Sequence, residues 1–211
     1  MISATRAIVL NHIRYSDSNL IVNLYTESMG RQAVFVRGAF SKKTAMRIAL
    51  FQPLHLIEAD LHHRVNRQIQ RVSNIRMYYP FHSIPFDPIK TCIALFIAEA
   101  LYKTLKEEEA NPELFDFLLH AIQTLDLNER GTANFHLAFL VHYSRHLGFY
   151  LKYDHLLSQL SEMSFDHLDS ICINHKQRND LVERILTHYS VHVANFGKLK
   201  SFPILRNIFQ D

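Results

Sequence analysis

Residues 86–101, FDPIKTCIALFIAEAL, decide the fold class, because the apolar pattern changes there from a period of two to one near 3.6. Asp87 followed by Pro88 is typical of a helix start, with a capping carboxylate and a proline at the first helical position. The apolar residues that follow recur on one face, which predicts a helix of about five turns with a buried stripe. The stripe consists of Ile89, Ile93, Phe96, Ile97, Ala100 and Leu101.

Upstream of this stretch, short runs of β-branched and aromatic residues alternate with polar turns. They predict five strands at residues 5–13, 20–26, 32–37, 53–62 and 67–77. The polar run 16–19 and Gly30 suit hairpin turns, whereas the connection 38–49 is longer and basic. Five strands in about 75 residues predict a small barrel, and strand spacing leaves both an OB-fold and an SH3-like barrel open.

Downstream, the helical period continues, and Asn111-Pro112 repeats the signal for a helix start. Further helices are predicted at 113–125, 132–147 and 177–196, with a short helix and an extended 170–173 inside the less regular segment 150–175, and one or two turns at 202–209. We therefore predict an α+β protein with a barrel domain at residues 1–80 and an all-helical domain at residues 81–211. The acidic run 107–109 opposes the helix dipole, and the sequence offers no physical reason for it.

Composition indicates a globular protein, since 48% of the residues are apolar and 20% are charged. No apolar run approaches the roughly 18 residues of a membrane span, and the first residues do not resemble a signal peptide, so we expect a cytoplasmic protein without a membrane partner. Cys92 and Cys172 are expected to be small core residues, and a disulfide framework is not expected.

Motifs of catalysis are missing from the sequence. It contains no nucleophile elbow, no phosphate-binding P-loop, no cysteine pair at metal-ligand spacing and no paired catalytic carboxylates. We therefore predict a protein that is not an enzyme and needs no cofactor.

Charge is distributed unevenly along the chain. Residues 1–80 hold eleven Lys and Arg against four Asp and Glu, a net +7, whereas residues 81–211 hold twelve against sixteen, a net −4. A concentrated positive field attracts phosphates and releases their counterions. The first half is therefore predicted to bind a polyanion.

The segment 31–47, RQAVFVRGAFSKKTAMR, combines a strand with a basic loop that carries an aromatic ring. Cations that follow phosphates, together with a ring that stacks a base, are the usual means of holding single-stranded nucleic acid. Arg64, Arg67, Arg71 and Arg76 add positive charge near the fifth strand. The predicted DNA-binding residues are Arg31, Arg37, Lys42, Lys43, Arg47, Arg67 and Arg71, with Phe40 as the stacking residue.

Two histidine pairs, His142 with His146 and His188 with His192, have the i, i+4 spacing that can present two imidazoles to one zinc ion. Neither pair has the glutamate of a His-Glu-x-x-His motif or an obvious third ligand. We interpret them as residues at the edge of the core and predict no metal site.

The first half resembles the N-terminal pattern of the RecO family. The resemblance rests on residues 7–10 (AIVL), 15–22 (YSDSNLIV), 24–26 (LYT), Gly30 and 36–39 (VRGA). Residues 51–54 (FQPL) resemble the opening of that family's fourth strand, and residues 147–150 (LGFY) its leucine-glycine-aromatic signature.

This resemblance implies an N-terminal OB-fold followed by a helical domain, binding of single- and double-stranded DNA, and annealing of complementary strands. It also implies work with the RecR protein and with single-stranded DNA-binding protein in loading RecA, and it places Arg37, Lys42 and Lys43 on the DNA surface. Many relatives carry a four-cysteine zinc module after the signature. Here the corresponding residues 152–177 contain Cys172 alone, so no zinc module is expected.

Two other functions compete with DNA annealing. One is a non-enzymatic adaptor whose basic barrel binds the acidic peptide tails of partner proteins. The other is a metal-dependent nuclease or hydrolase that uses the histidine pairs.

Overall fold

The computed structural model describes residues 2–40, 48–151 and 154–209. Its first part is a closed barrel in which the strands follow the order β1-β2-β3-β5-β4 and β4 closes on β1. Every pairing is antiparallel except that of β3 with β5, which is parallel. The strands are β1 (Ile2–Arg14), β2 (Leu20–Thr26), β3 (Gly30–Val36), β4 (Leu56–His62) and β5 (Ile69–Tyr79).

Successive side chains of each strand point to opposite faces of the sheet, and those on the inner face fill the barrel interior. Val22, Leu24, Val34 and Val36, for example, are buried together with Phe51 in one apolar cluster. The predicted five-stranded OB-type barrel is confirmed, and the arrangement removes sheet edges that would otherwise be open.

The fourth strand begins later than predicted, at Leu56 instead of residue 53. Leu54 has φ 63, in the left-handed region, and its N–H donates to the Val9 carbonyl at 2.8 Å. Such a backbone cannot continue a strand, so residues 51–54 form a turn against β1.

The remaining described chain is helical: α1 (Pro88–Thr104), α2 (Pro112–Leu127), a 3₁₀ turn (Thr132–Asn134), α3 (Phe135–His146), α4 (His155–Glu162), a 3₁₀ turn (Phe165–Ser170), α5 (His175–His192) and α6 (Phe202–Ile208). The Asp87 carboxylate accepts the N–H of Ile89 at 2.8 Å, and the Asn111 side chain accepts that of Leu114 at 3.0 Å. Both predicted helix starts are therefore confirmed.

Three local predictions were wrong. Cys172 is exposed and Cys92 is only partly buried, so neither is the core residue that the sequence predicted. Ile89 is 36% exposed, so it does not belong to the buried stripe of α1. Residues 170–173 do not form a strand, because a 3₁₀ turn ends at Ser170 and Asn174 already caps α5 in a reciprocal capping box with Gln177.

The chain divides into two compact units. One consists of Met1–Pro80 with Ala98–Leu119, and the other of Phe81–Ile97 with His120–Asp211. The barrel unit thus includes the end of α1 and the start of α2, beyond the domain boundary predicted after residue 80. In the described residues, no helix has the length and apolar character needed to cross a membrane.

His136 lies in the core of the second unit between aromatic rings, with the Arg178 charge nearby. His136 is buried, its ring lies edge-on to Phe96 and is stacked on Phe209, and its Nδ1 has no hydrogen-bond partner among the residues that the structure describes. Burial, with a smaller contribution from the Arg178 charge, lowers the pKa of His136 to about 3.

This histidine is expected to make the fold sensitive to mild acid. The unfolded chain takes up a proton near pH 6.5 and the folded chain only near pH 3, so stability is present above pH 6.5 and falls as the pH decreases through that window. Between pH 7 and pH 5 the loss is about 2 kcal/mol. Measured by urea unfolding, the free energy of unfolding of His136→Phe should fall between pH 7 and pH 5 by about 2 kcal/mol less than that of the wild type. His120→Gln, at an exposed position, should lose as much stability as the wild type. Equal losses in His136→Phe and the wild type would contradict this role.

Candidate nucleic-acid interface

Two basic residues of the predicted site, Arg31 and Arg37, lie near the start and just after the end of β3. Arg31 and Arg37 are six residues apart, so alternation places them on the same outer face. At roughly 3.3 Å per residue they lie about 20 Å from each other, at opposite ends of the strand. Their surroundings differ completely.

Arg31 is bound to the protein itself. Its Nη1 donates to the carbonyls of Tyr102 and Leu105, each at 2.7 Å, and its guanidinium lies 4.4 Å from the Tyr102 ring centroid. These carbonyls end α1, where a cation complements the helix dipole. We therefore assign Arg31 a structural role and leave it out of the proposed DNA surface.

The acidic run at residues 107–109 lies beyond the end of α1 at Thr104, and its backbone contacts the strand that carries Arg31. The Arg31 N–H donates to the Glu107 carbonyl at 2.9 Å, and a Cβ on Gly30, which has φ 58, would collide with the carbonyls of Glu107 and Glu109. The backbone of this run therefore packs on the β2–β3 hairpin while its side chains remain exposed. Nearby, Phe115 stacks on Tyr25, and burial raises the pKa of Tyr25 to about 12.

The opposite end of this face is open and combines cations with aromatic rings. A hollow of about 280 Å³, here called the Tyr15 hollow, has Tyr15, Ile21, Phe35 and Ile69 among its walls. Its cationic walls are Arg37, Arg67 and Arg71, all exposed. The parallel pairing of Phe35 with Arg71 brings β3 and β5 side by side at this point.

Tyr15 lies just after β1, and its ring meets that of Phe35 edge-on, with centroids 5.6 Å apart. It is 64% exposed, so one face of the ring is open to a ligand. The β1–β2 and β4–β5 loops border the surface through which OB-folds bind oligonucleotides. The site prediction missed Tyr15 and Phe35, although an aromatic residue beside the first polar turn was a usable signal.

Phe40, the predicted stacking residue, is partly covered by a cation. The Arg14 guanidinium lies 4.9 Å from the centroid of the Phe40 ring and also pairs with Asp17 at 3.4 Å. Phe40 is nevertheless exposed, and Arg14 is a further basic residue beside the candidate surface. Lys42, Lys43 and Arg47 lie outside the described residues.

The loop that carries Arg64 and Arg67 is held from inside by Gln70. This buried side chain accepts from the Arg64 N–H at 2.9 Å and donates to the carbonyls of Arg64 and Arg67, at 3.1 and 2.6 Å. Gln70 therefore positions the loop without being exposed to a ligand.

Arg76 lies apart from this surface, because its guanidinium is paired with Glu58 at 2.9 Å. Hydrogen bonding to that carboxylate raises the pKa of Arg76, and the same bond lowers the pKa of Glu58. Both lie on the β4–β5 face, where Asp60 adds further negative charge. That face is a poor match for phosphates.

The histidine pairs make packing contacts. His142 lies against Phe165, and its Nε2 is 3.0 Å from the Met163 carbonyl. His188 and His192 both pack on Phe149. Over the described ranges, no group of three or more His, Cys, Asp or Glu residues is arranged to hold a metal ion, and both cysteines are free.

Comparison with known proteins finds two family models, and several relatives that match nearly the whole chain. Family models described as Recombination protein O N terminal and Recombination protein O C terminal match residues 1–81 and 85–155. The chain is 34% identical to the DNA repair protein RecO of Bacteroides fragilis, covering 99% of this chain and 100% of that protein. It is also 34% identical to the Flavobacterium psychrophilum RecO (97% and 98% covered) and 32% identical to that of Phocaeicola vulgatus (99% and 100% covered).

Proposed function

This chain belongs to the RecO family, and from that premise we propose that it is a non-enzymatic mediator that binds DNA through its barrel. The resemblance to the RecO family found in the sequence is therefore confirmed. The role of this family is in DNA repair and recombination. The proposed activities are binding of single- and double-stranded DNA and annealing of complementary strands. Its proposed partners are the RecR protein and single-stranded DNA-binding protein, with which it assists the loading of RecA.

The observation that supports this proposal best is the Tyr15 hollow with its three arginines. The exposed Tyr15 ring can stack on a base whatever its identity, while the arginines hold the phosphates. This combination suits sequence-independent binding of single strands. Arginines that reach only phosphates also serve a duplex, because these contacts read no sequence. We include Lys42, Lys43 and Arg47 in the proposed surface because they add positive charge to the chain that follows Phe40.

Stacking on Tyr15 is the first testable part of this proposal. We expect Tyr15→Ala to lower the affinity for a thymine oligonucleotide about tenfold, since one stacked base contributes about 1–3 kcal/mol. Tyr15→Phe, which retains the ring, should bind like the wild type. Fluorescence anisotropy with a labelled oligonucleotide measures both.

A suitable control is Tyr150→Ala, because Tyr150 is also a highly exposed tyrosine, 69% accessible, and lies in the second unit. It should leave DNA binding unchanged. If Tyr15→Ala binds as tightly as Tyr150→Ala, base stacking at this position is refuted.

Annealing itself is tested with complementary oligonucleotides, one of them labelled, in the presence and absence of single-stranded DNA-binding protein. The full chain should accelerate duplex formation in both conditions. Failure to accelerate it in either condition would remove the annealing activity from the proposal.

The adaptor hypothesis draws on the same surface, because arginines next to apolar side chains also suit an acidic peptide that carries hydrophobic residues. Competition separates the two functions. An acidic peptide that displaces DNA and loses affinity in Arg37→Glu binds the barrel surface. A peptide that binds Arg37→Glu normally and does not displace DNA has its site elsewhere.

A further inference from the structure

A second hollow adjoins the Tyr15 hollow. It measures about 450 Å³ and lies along the seam between β3 and β5, and we call it the seam groove. The two hollows share three of their walls, namely Phe35, Arg37 and Arg71. The two hollows are therefore neighbouring depressions, and Arg37 and Arg71 lie between them.

The seam groove exists because the parallel pairing of β3 with β5 is short. It covers three residue pairs and ends at Phe35 and Arg71, although β5 continues to Tyr79. Beyond it β5 is irregular at Asn74, which has φ 50 and donates its side-chain amide to Asp60 at 2.6 Å. The register between β4 and β5 shifts between Glu58 and Asp60. The irregularity at Asn74 is therefore a β-bulge, which changes the direction of β5.

The walls of the seam groove are chemically divided. Val36, Val72 and Ile75 are apolar residues that belong to or pack against the barrel core. The polar walls are Arg37, Arg71, Ser73 and Asn74. An apolar surface beside a few hydrogen-bonding groups is typical of small-molecule sites, and the volume lies within their range of roughly 300–1,000 Å³.

We infer that the two hollows hold two consecutive, unstacked nucleotides of a single DNA strand. One base lies against Tyr15 and Phe35, the next enters the seam groove, and Arg37 and Arg71 hold the phosphate that joins them. This inference rests on the proposed function and adds to it a site that only unpaired nucleotides can fill. Paired bases remain stacked inside the duplex and cannot enter separate hollows, so a strand has to leave this site as it anneals.

Ser73→Leu tests the inference, because a larger apolar side chain at this wall fills the seam groove. The affinity for a thymine oligonucleotide should fall about tenfold, the effect of losing one bound base. The affinity for a duplex of equal length should not change.

The matched control is His62→Ala. Nε2 of His62 is 2.7 Å from the Ser73 hydroxyl, so this substitution removes the same hydrogen bond but leaves the groove open. His62→Ala should bind both DNA forms like the wild type. Ser73→Gln, which fills the groove with a polar side chain, is the second variant if Ser73→Leu does not fold.

A second measurement locates the bases directly. Oligonucleotides that carry one 5-iododeoxyuridine crosslink to nearby aromatic rings under ultraviolet light, and the crosslinked residue is identified by mass spectrometry. We expect crosslinks at Tyr15 or Phe35.

The outcomes are distinguishable. If the Ser73 variants bind single strands normally while Arg37→Glu does not, the inference falls and the proposed function stands. If the Ser73 variants and Arg37→Glu all bind single strands normally, both the inference and the proposed DNA-binding surface are refuted. If the Ser73 variants retain DNA binding but lose binding of a partner-derived peptide, the groove accepts an added protein strand and the inference is overturned.

Discussion

Reversing Arg37, Arg67 and Arg71 together to glutamate is expected to lower the affinity for single-stranded DNA at least about a hundredfold. All three side chains are exposed around one hollow, so each is available to a phosphate. Loss of three phosphate contacts should also reduce the slope of log affinity against log salt by about 2. Binding at several salt concentrations measures the affinity and the slope in one series.

Arg76→Glu is the control for this triple variant. It is also an exposed arginine of the barrel, but it is paired with Glu58 and faces acidic neighbours. We expect it to change DNA affinity by less than about threefold, in line with the small contribution of exposed ion pairs. A triple variant with the affinity and salt slope of Arg76→Glu would show that this hollow is not the DNA site.

Asp126→Ala is expected to destabilise the protein by about 2–4 kcal/mol, because three backbone N–H groups, one buried and two partly buried, lose their acceptor. The Asp126 carboxylate is 1% exposed and accepts the backbone N–H groups of His82, Ser83 and Ile84 at 2.8, 2.9 and 3.0 Å. Lys90, whose pKa burial lowers, donates to the backbone carbonyl of Asp126 at 2.8 Å, a bond that Asp126→Ala retains. This network holds the chain that leads from β5 into α1, and urea unfolding measures its contribution.

Asp116→Ala on the same helix is the matched control. The Asp116 side chain is 70% exposed and makes a long ion pair, 3.9 Å, with Arg6. We expect a loss within about 0.5 kcal/mol. If Asp126→Ala unfolds at the same urea concentration as Asp116→Ala, the buried network does not stabilise the fold.

The barrel shows why the proposed site could be predicted only in part from the sequence. Charge identified the basic half of the chain, and the segment 31–47 identified β3 as the strand that presents it. Arg31 and Arg37 look equivalent in that segment, since both are arginines on the same face of one strand. They differ because residues 102–107, more than 60 positions later in the chain, bind Arg31 and leave Arg37 free of those contacts.

The rings of the proposed site show the same limit. Tyr15, Phe35 and Arg71 come from separate parts of the sequence. The antiparallel β1–β2–β3 pairings bring Tyr15 to Phe35, and the parallel pairing of β3 with β5 adds Arg71. No local pattern encodes a pairing between strands that are distant in sequence, since it depends on closure of the whole barrel.

The sequence by itself determined the fold class, the helix starts at Asp87 and Asn111, and the location of the positive charge, because periodicity, capping and charge are properties of neighbouring residues. Tertiary structure alone decided that Arg31 is bound by the rest of the protein while Arg37 stays exposed. It also decided that a groove opens beyond Phe35 and Arg71 and that His136 and Asp126 are buried. These features depend on long-range packing and on the removal of water from particular groups, and both arise only when distant segments come together.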